Sequence, residues 1–165
     1  MKQLDDVRTL QRYKQWRNKD EIKLFITALK SIERIADPSI LPELFMIVSD
    51  EDIDIHAEQE IETTIGKFAL ETIVSHIFQL LPKLRSEAPE WTNHYCTRLL
   101  SADDTEHMFR EHYLNSNKST QDILQSVFQE VEHEFAQHEI LFDGQANEID
   151  KVRERISKKI KYILQ

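Results

Sequence analysis

Apolar residues recur along nearly the whole chain at helical spacing. Leu4, Val7, Leu10 and Tyr13 fall on one side of a first predicted helix over 4–17. Leu24, Phe25, Ala28, Leu29, Ile32 and Ile35 follow the i, i+3/i+4 rule and predict a second over 20–35. Asp37-Pro38-Ser39 breaks that pattern, and a short helix over 41–48 follows, with Pro42 in its first turn. A polar, acidic loop over 49–54 leads into a helix over 55–65, with Gly66 as a joint. Residues 68–84 are apolar around most of a helical circumference, which predicts a central helix buried on several sides. After a break at 86–89, helices are expected over 90–101 and from about 102 to 114. Another runs from a cap at Ser119 to about Ile140. Beyond Gly144 a last helix carries Ile149, Val152, Ile156, Ile160 and Ile163 on one stripe.

Two glycines and four prolines in 165 residues leave little turn chemistry for a strand-rich fold. The expectation is a single all-α domain over 1–165, with about seven to nine helices packed as antiparallel pairs. Leu41-Pro42-Glu43-Leu44 recurs 40 residues later as Leu81-Pro82-Lys83-Leu84. That interval suits a HEAT- or armadillo-like helical repeat, whose units run to roughly 40–47 residues. No run approaches the ~20 apolar residues of a membrane span. The first residues lack the apolar core of a secretory signal. Cys96 is the sole cysteine, which suits a reducing compartment. These features predict a soluble, cytoplasmic protein that does not engage membranes.

Charge changes the picture more than composition does. The net charge is −9, and it is unevenly spread. Residues 35–150 hold 24 acids against 6 bases, while 1–34 carry a net +4 and 151–165 a net +5. No Lys or Arg occurs between Ala36 and Gly66. An acidic middle attracts a basic partner and repels phosphate backbones, so nucleic acid is not an expected ligand. Lys151, Arg153, Arg155, Lys158, Lys159 and Lys161 form a basic last helix whose charges are expected to pair with the acidic body. The loop 50–54 alternates acids with Ile53, as a charged rim around apolar anchors would.

Catalytic signals are weaker. Glu130 and His133 stand i, i+3 on one helical face, as di-iron bundles use, with Asp104 and His107 as an imperfect second pair. A solvated face carrying Glu130, Glu134 and His138 explains the first pair better. His133 and His138 are five apart and point away from each other, as do His107 and His112. His76 reads as a hydrogen-bonded core histidine. Cys96 reads as a buried inert thiol, because its neighbour His94 points elsewhere. No glycine-rich phosphate cradle is present. No enzyme activity, cofactor or metal is expected.

The run Leu80-Leu81-Pro82-Lys83-Leu84, then Ala88-Pro89-Glu90-Trp91, then Arg98-Leu99-Leu100 resembles a pattern in bacterial immunity proteins of polymorphic-toxin and contact-dependent growth inhibition systems. The helical, HEAT-like members are the ones it resembles, over about residues 40–115, with Ser101 where that pattern has Asn. The resemblance implies an antidote that binds one cognate toxin domain, commonly a basic nuclease, in the cytoplasm. It also implies that Trp91 packs between helices. Joined to the charge argument, it nominates Asp50, Glu51, Asp52, Asp54, Glu58 and Glu62 as toxin contacts, with Asp103, Asp104 and Glu106 as a second group. The alternatives are a helical scaffold for another cellular protein and a metal-dependent helical-bundle enzyme.

Overall fold

The computed structural model describes residues 2–48, 50, 53–138 and 146–165, with the backbone alone at Lys2, 135–138 and 146–149. Among these residues there are nine α-helices and no strand, so the all-α class stands. Expectations placed on Glu51, Asp52, Ile140 and Gly144 lie outside the described residues, as do the side chains of Phe135, His138 and Ile149. No helix among the described residues is long and apolar enough to cross a membrane. Internal contacts divide the chain into two compact units, Met1–Leu80 and Leu81–Gln165.

The first unit opens with α1 (Lys2–Tyr13) and α2 (Lys19–Ile35), which pack closely on each other. Asn18 starts α2: its side-chain oxygen accepts from the backbone N–H groups of Asp20 and Glu21 at 3.1 and 3.0 Å. Such a cap satisfies two donors that the first turn leaves free. The inner stripe of α2 is Phe25, Ala28, Leu29 and Ile32, all buried, while Leu24 and Ile35 sit at its edge, each 46% exposed. Ala36 ends the helix in the left-handed region, φ 50°, and donates its N–H to the Ile32 carbonyl at 2.9 Å. A 3₁₀ turn, Pro38–Ile40, leads into α3 (Leu41–Phe45). Then come α4 (Ile55–Ile65) and α5 (Leu70–Glu87), and the division between units falls within α5. Glu33 on α2 binds Lys67 at 2.6 Å and accepts from Thr64 on α4 at 3.1 Å, which fixes α4 against α2.

The second unit contains α6 (Pro89–Ser101), α7 (Thr105–Asn115), α8 (Lys118–His138) and α9 (Ala146–Leu164). Helix α9 packs on α6, α7 and α8, and Ile156, Ile160 and Ile163 are its buried stripe. Trp91 is buried and stacks on Tyr95, with ring centroids 4.7 Å apart.

Three local expectations are corrected. The repeat first: Pro82 lies inside α5 with its ring exposed, whereas Pro42 occupies the first turn of α3. The two Leu-Pro-x-Leu strings therefore take unlike positions. Second, α5 is not buried on several sides. Ile73, Val74, Ile77, Phe78, Leu81 and Leu84 form one broad buried stripe, and Ala69 is exposed. Third, α8 begins earlier than its Ser119 suggests. Asn117 is the cap, accepting from the Thr120 N–H at 2.9 Å, while Lys118 and Asp122 pair at 2.8 Å along the first turn.

Candidate protein-interaction surface

Asp54 builds the N-terminal end of α4. Its carboxylate accepts from the His56 backbone N–H at 2.9 Å and lies 3.3 Å from the His56 Nδ1. Its own N–H donates to the Lys14 carbonyl at 2.9 Å, which pins this end of α4 to the turn between α1 and α2. That turn holds Trp16 at φ 46°, a left-handed conformation that a bulky side chain adopts only under constraint. The constraint is visible. The indole packs edge-on against Phe25 at 5.6 Å and lies nearly parallel to the His56 ring, centroids 6.3 Å apart at 11°. Helix α4 buries Ala57, Ile61, Thr64 and Ile65, and presents Ile55, His56, Gln59, Glu60 and Thr63 to solvent.

The nominated acids do not share one environment. Asp50 and Glu58 are half-buried, and Asp54 is the α4 cap with 34% of its side chain exposed. Glu62 is 4% exposed. Lying next to Ile61 on the inner side of α4, it cannot serve as a surface contact. Glu51 and Asp52 are outside the described residues. Asp103 and Asp104 are exposed, but they and Glu106 belong to the second unit. Glu106 is already engaged: Lys159 Nζ lies 2.8 Å from its Oε2, and that hydrogen-bonded cation holds its carboxyl below the ordinary value. Sequence reasoning passed over Glu60, Ile55, His56 and Trp16. The i, i+4 spacing of His56 and Glu60 inside the base-free stretch was a usable signal. Nothing local marked Trp16.

The residues considered for catalysis are committed elsewhere. Glu130 binds Arg85, accepts from Asn93 Nδ2 at 2.8 Å and lies within 3.3 Å of the Ser126 hydroxyl. The Arg85 guanidinium and the Asn93 amide hold its carboxyl below the ordinary range. It ties α5, α6 and α8 together. Among the described residues no three His, Cys, Asp or Glu side chains are grouped to hold a metal ion. His76 donates from Nδ1 to the Thr72 carbonyl one turn back, at 2.8 Å. Burial pushes the Cys96 thiol up to about 12, far from the thiolate a nucleophile requires.

Helix α9 uses part of its positive charge within the second unit. Lys159, 9% exposed, donates to the Ala102 carbonyl at 2.6 Å and forms an ion pair with Glu106 at 2.8 Å. Arg155 donates to the Ser101 carbonyl at 3.0 Å. Both cations sit at the C-terminus of α6, where free carbonyls and the negative end of the macrodipole favour them. In return Arg110 on α7 donates to the Tyr162 carbonyl at 2.6 Å and covers the Tyr162 ring at 4.9 Å. A cavity of about 430 Å³ borders α9, lined by Asp150, Arg153, Glu154, Ser157, Lys158 and Lys161, and Lys158 pairs there with Glu154 at 2.7 Å.

Compared with known proteins, the chain matches no family model, and no curated protein or solved structure is significantly similar to it.

Proposed function

We propose that this chain is a binding protein of the immunity kind, which neutralises a basic, nuclease-type toxin domain in the cytoplasm by docking it on the acidic side of the first unit. The observation that carries the reading is the charge of the stretch 36–66: it contains no Lys or Arg, and among its described residues Asp37, Glu43 and Glu60 are exposed while Asp50, Asp54 and Glu58 are half-buried. The flanking cation Lys67 is held by Glu33 at 2.6 Å. A surface dominated by one sign of charge raises the association rate of an oppositely charged partner.

The test is a binding measurement between the full chain and the toxin domain encoded beside it. The informative variants are Glu43→Lys and Glu60→Lys together, because both side chains are exposed and neither caps a helix. Association is expected to slow about tenfold or more at low ionic strength, with the difference shrinking as salt is added. Association at the wild-type rate would remove the electrostatic basis of this reading. A scaffold for some other cellular protein would then be the better description.

A further inference from the structure

We infer that the docking surface of the first unit is centred on Trp16, Ile55 and His56, and that its occupant is an arginine-bearing segment of a basic protein. This rests on the reading just given, and it adds an apolar centre and a chemical preference to it.

Ile55 is 57% exposed, the most exposed large apolar side chain among the described residues. It stands in the first turn of α4, where solvent contact alone would favour a polar residue. Beside it the His56 side chain is 71% exposed and lies flat against Trp16. The Trp16 indole N–H has no acceptor among the described residues. An aromatic stack next to an exposed aliphatic, enclosed by charged groups, is the anatomy of a protein-binding hot spot.

Charge complementarity identifies the occupant. The Asp54 carboxylate lies 3.3 Å from the His56 Nδ1, and the exposed Glu60 shares the face of His56. The nearest exposed cation along the chain, Arg17, is turned back: its Nε donates to Gln15 Oε1 at 2.8 Å, and its backbone N–H donates to Glu21 at 3.0 Å. A guanidinium fits such a site better than an ammonium. It is planar, stacks on a flat ring, and binds carboxylates through two parallel N–H groups. The chain uses the same pairing internally, with Arg12 over Tyr13 at 5.4 Å.

The test titrates the ¹⁵N-labelled full chain with acetyl-Arg-Gly-Arg-Gly-Arg amide and with its lysine counterpart, followed by amide and indole N–H resonances. Trp16→Phe identifies the Trp16 indole signal. With the arginine peptide, that signal and the amides of Ile55 and His56 are expected to move and saturate. The lysine peptide is expected to bind about fivefold more weakly. The indole of Trp91, buried in the second unit, serves as the unmoved reference. Ile55→Ser alters only an exposed side chain and is expected to weaken the arginine peptide about fivefold with the remaining spectrum unchanged. Saturable shifts confined to acidic residues, equal for both peptides, would overturn the apolar centre and leave acidic docking standing. No saturable shift with either peptide would overturn both.

Discussion

Replacing Lys159 with Met tests the clamp between α9 and the end of α6. Methionine keeps most of the aliphatic stem, so the loss isolates the ammonium group. In the native chain that ammonium lies 2.6 Å from the Ala102 carbonyl and 2.8 Å from Glu106, with the Thr105 hydroxyl at 3.5 Å. A hydrogen bond from a charged donor contributes about 1.5–3 kcal/mol. The pair with Glu106, whose side chain is 23% exposed, adds about 1 kcal/mol after solvent screening. Lys159→Met should therefore cost about 2–4 kcal/mol, read as a lower urea midpoint at unchanged slope. Glu106→Gln should cost about 1 kcal/mol or less, because Lys159 keeps its carbonyl acceptor. The double variant should lose less than the sum, since no carboxylate is then left without its cation. A Lys159→Met loss below about 0.5 kcal/mol, the level of an ordinary surface change, would refute the clamp.

Two further outcomes follow from the same kind of reasoning. Glu33, Glu106 and Glu130 all hold their protons less tightly in the folded chain than at the ordinary value, each chiefly through a bound cation. Their contribution is complete above the unfolded carboxylate pKa and is lost as pH falls through the depressed folded values, so the urea midpoint should drop on the acid side of about pH 4.5. Glu130→Gln should be less stable than wild type at pH 7, and its deficit should narrow as the pH is lowered below about 4.5; curves that stay parallel would contradict the role given to Arg85. Ala36→Gly should gain about 0.5–1 kcal/mol in a thermal or urea melt, because Ala36 ends α2 at φ 50°. A loss there would mean that the left-handed cap is not strained.

The sequence made visible what short-range rules govern. The bounds of α4 coincide with the expected 55–65 because a capping Asp54, an amphipathic stripe and Gly66 all lie within a few residues of each other. The end of α2 was readable for the same reason. What stayed hidden depends on distance or on facing. Glu62 counts as one more acid in a charged run, and a single residue step from Ile61 puts it inside. Glu106 counts as surface charge until Lys159, which is 53 positions away, reaches it. The Trp16 turn had no pattern at all, since its conformation is imposed by Phe25, His56 and the bond between Asp54 and Lys14.

The cations that finish α6 come from a helix made much later. Arg155 and Lys159 bond to carbonyls 54 and 57 positions upstream. On a ribosome, α6, α7 and α8 emerge before the segment that covers their apolar sides exists. The second unit must therefore wait, half assembled, with the Ser101 and Ala102 carbonyls lacking their cations. In the first unit α1 and α2 meet as soon as the turn joining them has been made, and only α4 arrives later, through Asp54 and Thr64.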